Sequence, residues 1–126
     1  MKIISSNKSP KAIGPYSQGI ISGNLFFCSG QIGLTQEGAL IGPGIDEQTV
    51  QILNNLKNIL EAGGSCIGNV LKTTLYLTDL EHFKRVNEIY ASFFGDHKPA
   101  RATVQVSSLP KGALIEIDCI ATMIHE

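Results

Sequence analysis

The sequence predicts an α+β domain in which two helices cover one face of a mixed β-sheet. Three patterns point there. Two segments carry apolar residues at helical spacing, residues 70–78 and 101–106 alternate with period two, and the last run, Ala113 to Ile124, has one wholly apolar face. No internal repeat or low-complexity tract interrupts these elements.

In chain order, residues 7–19 contain Pro10, Gly14, Pro15 and Gly19, punctuation that marks an ordered loop. From Ile20 to Gly30 the chain reads as two short strands around Ser22-Gly23-Asn24, where Gly-Asn is a hairpin signal. The Gly-rich stretch to Gly44 is a connection, and Asp46 stands where an N-cap would accept backbone N–H bonds. Between Asp46 and Ala62, residues Ile52, Leu53, Leu56, Ile59 and Leu60 fall within about 120° of arc, and Gly63-Gly64 follows as a stop. Residues 70–78 form a half-buried strand, with Leu71, Leu75 and Leu77 on one side and Lys72, Thr74, Tyr76 and Thr78 on the other. Asp79 repeats the capping signal before a second apolar stripe of Phe83, Val86, Tyr90, Phe93 and Phe94, which ends at Gly95. Beyond Pro99, Arg101, Thr103 and Gln105 share one face of a strand and Ala102, Val104 and Val106 the other. In the final run Ala113, Ile115, Ile117, Cys119, Ala121 and Met123 make the apolar face, while Glu116 and Asp118 sit among aliphatic residues on the other. Read locally, the last two strands form a hairpin, and the final one is a central strand with buried carboxylates.

The 126 residues are 43% hydrophobic and 17% charged with a formal net charge of -1, which fits one domain over residues 1–126. A chain of this length builds a core without disulfides or metals. Cys28, Cys66 and Cys119 are odd in number and widely spaced, so they read as reduced thiols. No apolar run approaches the ~18 residues of a membrane span, and Met1-Lys2-Ile3-Ile4-Ser5 lacks a signal-peptide core, so a cytoplasmic protein without membrane partners is expected. Scattered Lys and Arg, 6% aromatics and no Trp offer neither the charge nor the stacking surface for nucleic acid. His82, His97 and His125 lack metal-ligand spacing. Gly30-Gln31-Ile32-Gly33 lacks the third glycine of a dinucleotide fingerprint. Neither a metal nor a cofactor is expected.

Glu116 is the best acid/base candidate, because desolvation raises a carboxyl pKa toward neutrality. Asp118 reads equally well as a residue reaching the sheet edge. Arg101, at a strand start straight after Pro99-Ala100, could hold a carboxylate bidentately, against the commoner role of a solvated or ion-paired arginine. Asn87 falls in the second apolar stripe and reads as a hydrogen-bonded core amide. Ser29 shows no His or Asp partner, and Cys28 reads as a small core residue.

Ala12-Ile13-Gly14-Pro15-Tyr16-Ser17-Gln18-Gly19, Ser29-Gly30-Gln31-Ile32, Val70-Leu71-Lys72-Thr73-Thr74, Val86-Asn87, Pro99-Ala100-Arg101 and Ile115-Glu116-Ile117 occur in one order along the chain. Together they resemble the RidA (YjgF) family of reactive-intermediate deaminases, over essentially the whole chain. The resemblance implies a chorismate-mutase-like α+β fold in which the final strand lies centrally, which takes precedence over the local hairpin. It implies a homotrimer with ligand clefts between subunits. It implies hydrolysis of 2-enamine and 2-imine acids such as 2-aminoacrylate to 2-keto acids and ammonia. Residue by residue, Arg101 would bind the substrate carboxylate, Glu116 would position or activate water, and Tyr16, Ser29 and the Gly30 backbone would line the pocket, with Asn87 and Thr103 as further contacts. Thr103 departs from the Cys found in many members, which excludes a thiol role there. The alternatives the family carries are a small-ligand-binding regulatory trimer without catalysis and an RNA-cleaving translation inhibitor.

Overall fold

The computed structural model describes residues 1–125; Glu126, the last residue of the expected domain, lies outside them. A single six-stranded sheet has the order β1-β2-β3-β6-β4-β5. Its strands are β1 (Lys2–Ile4), β2 (Gly19–Ser22), β3 (Leu25–Gln31), β4 (Val70–Leu77), β5 (Ala100–Gln105) and β6 (Ile115–Thr122), and α1 (Ile45–Ala62) and α2 (Phe83–Phe94) lie on one face. Only β4 and β5 run parallel, so the sheet is mixed, as expected.

The local hairpin between the last two strands does not form. The β4–α2–β5 crossover makes β5 the parallel edge strand, and β6 enters between β3 and β4. Burial favours this arrangement: Ile115, Ile117, Cys119 and Ala121 are all buried under the helices, so a strand with one wholly buried face takes a place with neighbours on both sides.

Two further expectations are corrected. Asp46 does not cap α1. The N-cap is Gly44, extended at φ -86° and ψ 145°, and Glu47 reaches back so that its Oε1 accepts from the Gly44 N–H at 2.8 Å. Asp46 instead accepts from Arg85 of α2 at 2.8 Å. Leu71 does not join the buried side of β4, because a bulge between Val70 and Lys72 puts Val70 in the core and leaves Leu71 exposed. Asp79 behaves as predicted, accepting from the Glu81 N–H at 2.9 Å at the head of the short turn that leads into α2. Gly95, at φ +65°, ends α2 in a conformation that favours glycine.

The core lies between helices and sheet, where Ile52, Leu53, Leu56, Ile59 and Leu60 of α1 meet Phe26, Leu75, Leu77, Ile115 and Ile117. The opposite face of the sheet has no helix over it among the described residues. There Leu25 and Phe27 of β3 and Val104 of β5 are 40%, 44% and 44% exposed. Among the described residues no helix is long and apolar enough to cross a membrane.

Candidate functional site

Glu116 is placed by two irregularities of the strands around it. Between Cys28 and Gln31, β3 carries two residues, Ser29 and Gly30, against the single Asp118 between Cys119 and Ile117 on β6. This bulge brings Gly30 against Glu116, and a Cβ on residue 30 would collide with the carboxylate. Gly30 is therefore the seat of the Glu116 side chain. Glu116 is half-buried, on the face of β6 away from the helices. Its burial, and secondly the charge of Asp118, push its carboxyl above the usual carboxylate range. In the single chain it is thus less enclosed than the sequence suggested, yet shifted in the direction proton transfer near neutrality requires.

Glu116 and Gly30 open into a cavity of about 380 Å³ shared with Tyr16, Ile32, Pro110 and Lys111. Its N-terminal wall is held by a buried amide, Gln18, whose Oε1 accepts from the Ser6 N–H at 2.6 Å and whose Nε2 donates to the Pro10 carbonyl at 2.8 Å. That bracing places Tyr16, whose ring is half-exposed at the rim. The Ser29 hydroxyl donates to the Ser17 carbonyl. It ties the bulge to the same N-terminal segment.

Arg101 lies elsewhere. It pairs with Thr73 across the β4–β5 ladder, on the helix side of the sheet, and its guanidinium carbon stands 5.0 Å from the Tyr90 ring centroid and 5.4 Å from that of Phe83. The two rings of α2 hold the planar cation, an arrangement that suits arginine more than lysine. Tyr90 is fixed in turn by a 2.7 Å hydrogen bond between its hydroxyl and that of Thr73. Arg101 borders a groove of about 290 Å³ with Asn87, Phe94, His97 and Pro99. The His97 ring, 2.6 Å from the Val70 carbonyl, anchors the segment that delivers Arg101 to β5.

The predicted residues therefore fall into two groups. Glu116, Gly30 and Tyr16 share one cavity, with Ser29 beside it, while Arg101 and Asn87 share a groove on the opposite face of the sheet. Asn87 is half-buried on the groove wall and is not the core amide the helical stripe suggested. Thr103, on the Arg101 face of β5, has an enclosed hydroxyl oxygen without a hydrogen-bond partner among the described residues. Such an oxygen is costly to leave alone.

Sequence reasoning missed Lys111, Gln18, His97 and the fully buried Gln48. Lys111 sits at φ +58°, with its ammonium donating to the Gly38 carbonyl at 3.0 Å, a backbone state that no residue type announces. Gln48 did have a signal, since it lies four residues before Ile52 on the apolar stripe of α1.

The model of the Endoribonuclease L-PSP family matches residues 6–123. Reactive Intermediate Deaminase A, chloroplastic, of Arabidopsis thaliana is 49% identical over 123 residues, covering 97% of this chain and 66% of that protein. The 2-iminobutanoate/2-iminopropanoate deaminase of Homo sapiens is 46% identical over 121 residues, covering 95% of this chain and 88% of that protein. The crystal structure of E. coli TdcF with bound serine is 40% identical with a TM-score of 0.93, covering 97% of this chain and 99% of that one. Matches of this extent to sequences and to a solved fold leave one conclusion: the chain belongs to the Endoribonuclease L-PSP family, which includes the RidA (YjgF) deaminases.

Proposed function

We propose that this protein is a hydrolase that converts reactive 2-enamine and 2-imine acids, such as 2-aminoacrylate, to 2-keto acids and ammonia. Relatives at 46% and 49% identity that are named as deaminases support the activity. The observation that carries the site is the placement of Arg101 and Glu116 on opposite faces of one sheet. Neither group can serve the other's substrate within a chain. A homotrimer resolves this, with Arg101, Asn87 and Thr103 of one copy facing Glu116, Tyr16, Ser29 and Gly30 of the next. The exposed Leu25, Phe27 and Val104 give the open sheet face the apolar surface such packing needs.

In this site Arg101 holds the substrate carboxylate through two parallel N–H bonds. An enamine first takes a proton at its methylene carbon and becomes the iminium ion. Glu116 then removes a proton from water as the oxygen adds to the iminium carbon, and returns it to nitrogen. The C–N bond breaks as the new hydroxyl gives up its proton to solvent, the carbonyl forms and ammonia leaves. General acid–base help of this kind is worth about 10²–10⁴-fold, and imine carbons are electrophilic enough to need no metal or cofactor for it.

The test generates 2-aminoacrylate in situ with a serine or threonine dehydratase and follows keto-acid release. Wild type should accelerate release over the no-protein control, and Glu116→Gln should not. Equal rates in all three would overturn the enzyme reading. They would leave ligand binding without catalysis, the reading that the serine bound to TdcF favours. With a net charge of -1, the protein is expected to leave RNA intact and to have no nucleic-acid partner.

A further inference from the structure

The face of β6 that carries Glu116 carries a second carboxylate two residues on, and that carboxylate is held. Tyr76 of β4 donates its hydroxyl to Asp118 Oδ2 at 3.1 Å. Tyr76 stands directly opposite Glu116 and Thr74 directly opposite Asp118, so the phenol reaches diagonally from the Glu116 row to the Asp118 row. All three side chains are half-buried. Asp118 makes no ion pair among the described residues, where both ion pairs belong to Arg85; the Lys72 ammonium donates at 3.2 Å to the hydroxyl of Thr74, the residue opposite Asp118, and is the cation on this face.

We propose that Asp118, pinned by Tyr76, is a positioning residue that acts through Glu116: its fixed negative charge on the same strand face sets how readily Glu116 releases and regains the proton the reaction moves. This inference rests on reading Glu116 as the proton-transfer group. Side chains two apart on one face of a strand are about 7 Å apart. A negative charge at that distance, partly shielded from water, makes Glu116 hold its proton more firmly. The direction agrees with the rise of the Glu116 carboxyl that burial begins and Asp118 adds to. Burial first, then the hydrogen bond to Asp118 and after it the Asp118 charge, raise the Tyr76 phenol, as expected for a donor committed to a carboxylate.

The other titratable groups around Glu116 are few. Tyr16 and Lys11 of the N-terminal segment and Lys111 of the turn before β6 share its cavity. On β3 its neighbour is Gly30, and Cys28 and Cys119 point into the core on the helix side. In the trimer a neighbouring Arg101 adds a positive charge. That term is common to every variant below.

The experiment titrates Glu116 directly, by NMR of the assembled protein with ¹³C-labelled glutamate carboxyls, the Glu116 signal being assigned by its loss in Glu116→Gln. Asp118→Asn should move the Glu116 midpoint down by about 0.5–1 pH unit, and Tyr76→Phe should move it the same way by less. Asp118→Glu, which keeps the charge, should stay close to wild type. Whichever limb of the kcat/KM profile Glu116 governs should shift to lower pH along with its midpoint. A purely structural Asp118 would change Tm and leave the midpoint in place, and that result in folded Asp118→Asn would overturn the inference. Should Asp118→Asn not fold, an unmoved midpoint in Tyr76→Phe would do so. Full deaminase activity in Glu116→Gln would bring down the reading beneath it as well, whereas an inactive Glu116→Gln with an unmoved midpoint in Asp118→Asn removes only the role of Asp118.

Discussion

At the scale of single residues, chemistry here depends on side chains whose surroundings leave them little choice. Arg101 lies against the rings of Tyr90 and Phe83, so the plane of its guanidinium is set before any ligand arrives. A charge-assisted hydrogen bond is worth about 1.5–3 kcal/mol, which corresponds to roughly 10–150-fold in kcat/KM. Arg101→Ala should lose that much with Tm little changed. Arg101→Lys should fall in between, because an ammonium supplies charge without the planar fork. Steady-state kinetics on the deaminase assay, alongside a melting curve, check both; wild-type kinetics in a folded Arg101→Ala would remove the carboxylate clamp. Glu116 was legible as a candidate because it is a charge inside an apolar strand, whereas Arg101 read locally as a solvated or ion-paired arginine first, and its candidacy rested on the Pro99-Ala100-Arg101 motif. Lys111 was not legible, since its position rests on a left-handed backbone at φ +58° beside Gly112 that only tertiary packing creates.

At the scale of elements, both helices and the strands β4, β5 and β6 could be read from periodicity, because each has a face regular enough to set its pattern, and β2 and β3 from the Gly-Asn turn between them. β1, three residues long, could not, and its pairing with β2 is what makes it a strand. Asp46 misled because the cap signal is local, whereas the cap itself is made by the Gly44 backbone and the returning Glu47 side chain. The connections between elements were the least legible, since they rest on buried amides. Gln48 is the clearest case: its Nε2 donates to the Gly42 carbonyl at 2.8 Å and its Oε1 accepts from the Leu114 N–H at 2.8 Å, joining α1, the Gly-rich connection and the start of β6. Gln48→Ala removes a fully buried amide and strands both part-buried backbone groups. It should lower the stability of the folded protein by about 1–3 kcal/mol, measured as a shift in the urea midpoint. An unshifted midpoint would mean that water takes over both bonds.

At the scale of the whole molecule, the proposed trimer accounts both for an open sheet face with large apolar side chains and for candidate site groups on opposite faces. Equilibrium sedimentation should give a trimer at micromolar concentration, and a stable monomer with full deaminase activity would contradict the shared site. The fold class was visible in the sequence because burial patterns are one-chain properties. The placement of Arg101 and Glu116 on opposite faces was not, for strand order decides which face a residue meets, and β6 lies between β3 and β4 only because the crossover through α2 carries β5 to the edge. The two-faced sheet has a further consequence. In the proposed trimer Arg101→Ala chains lack one half of every site and Glu116→Gln chains lack the other, so each variant alone is strongly impaired. Unfolded together in equal amounts and refolded, they should form mixed rings in which about one junction in four joins an intact Arg101 to an intact Glu116. Two impaired proteins should then yield about a quarter of wild-type activity, and a single chain carrying both substitutions should rescue neither.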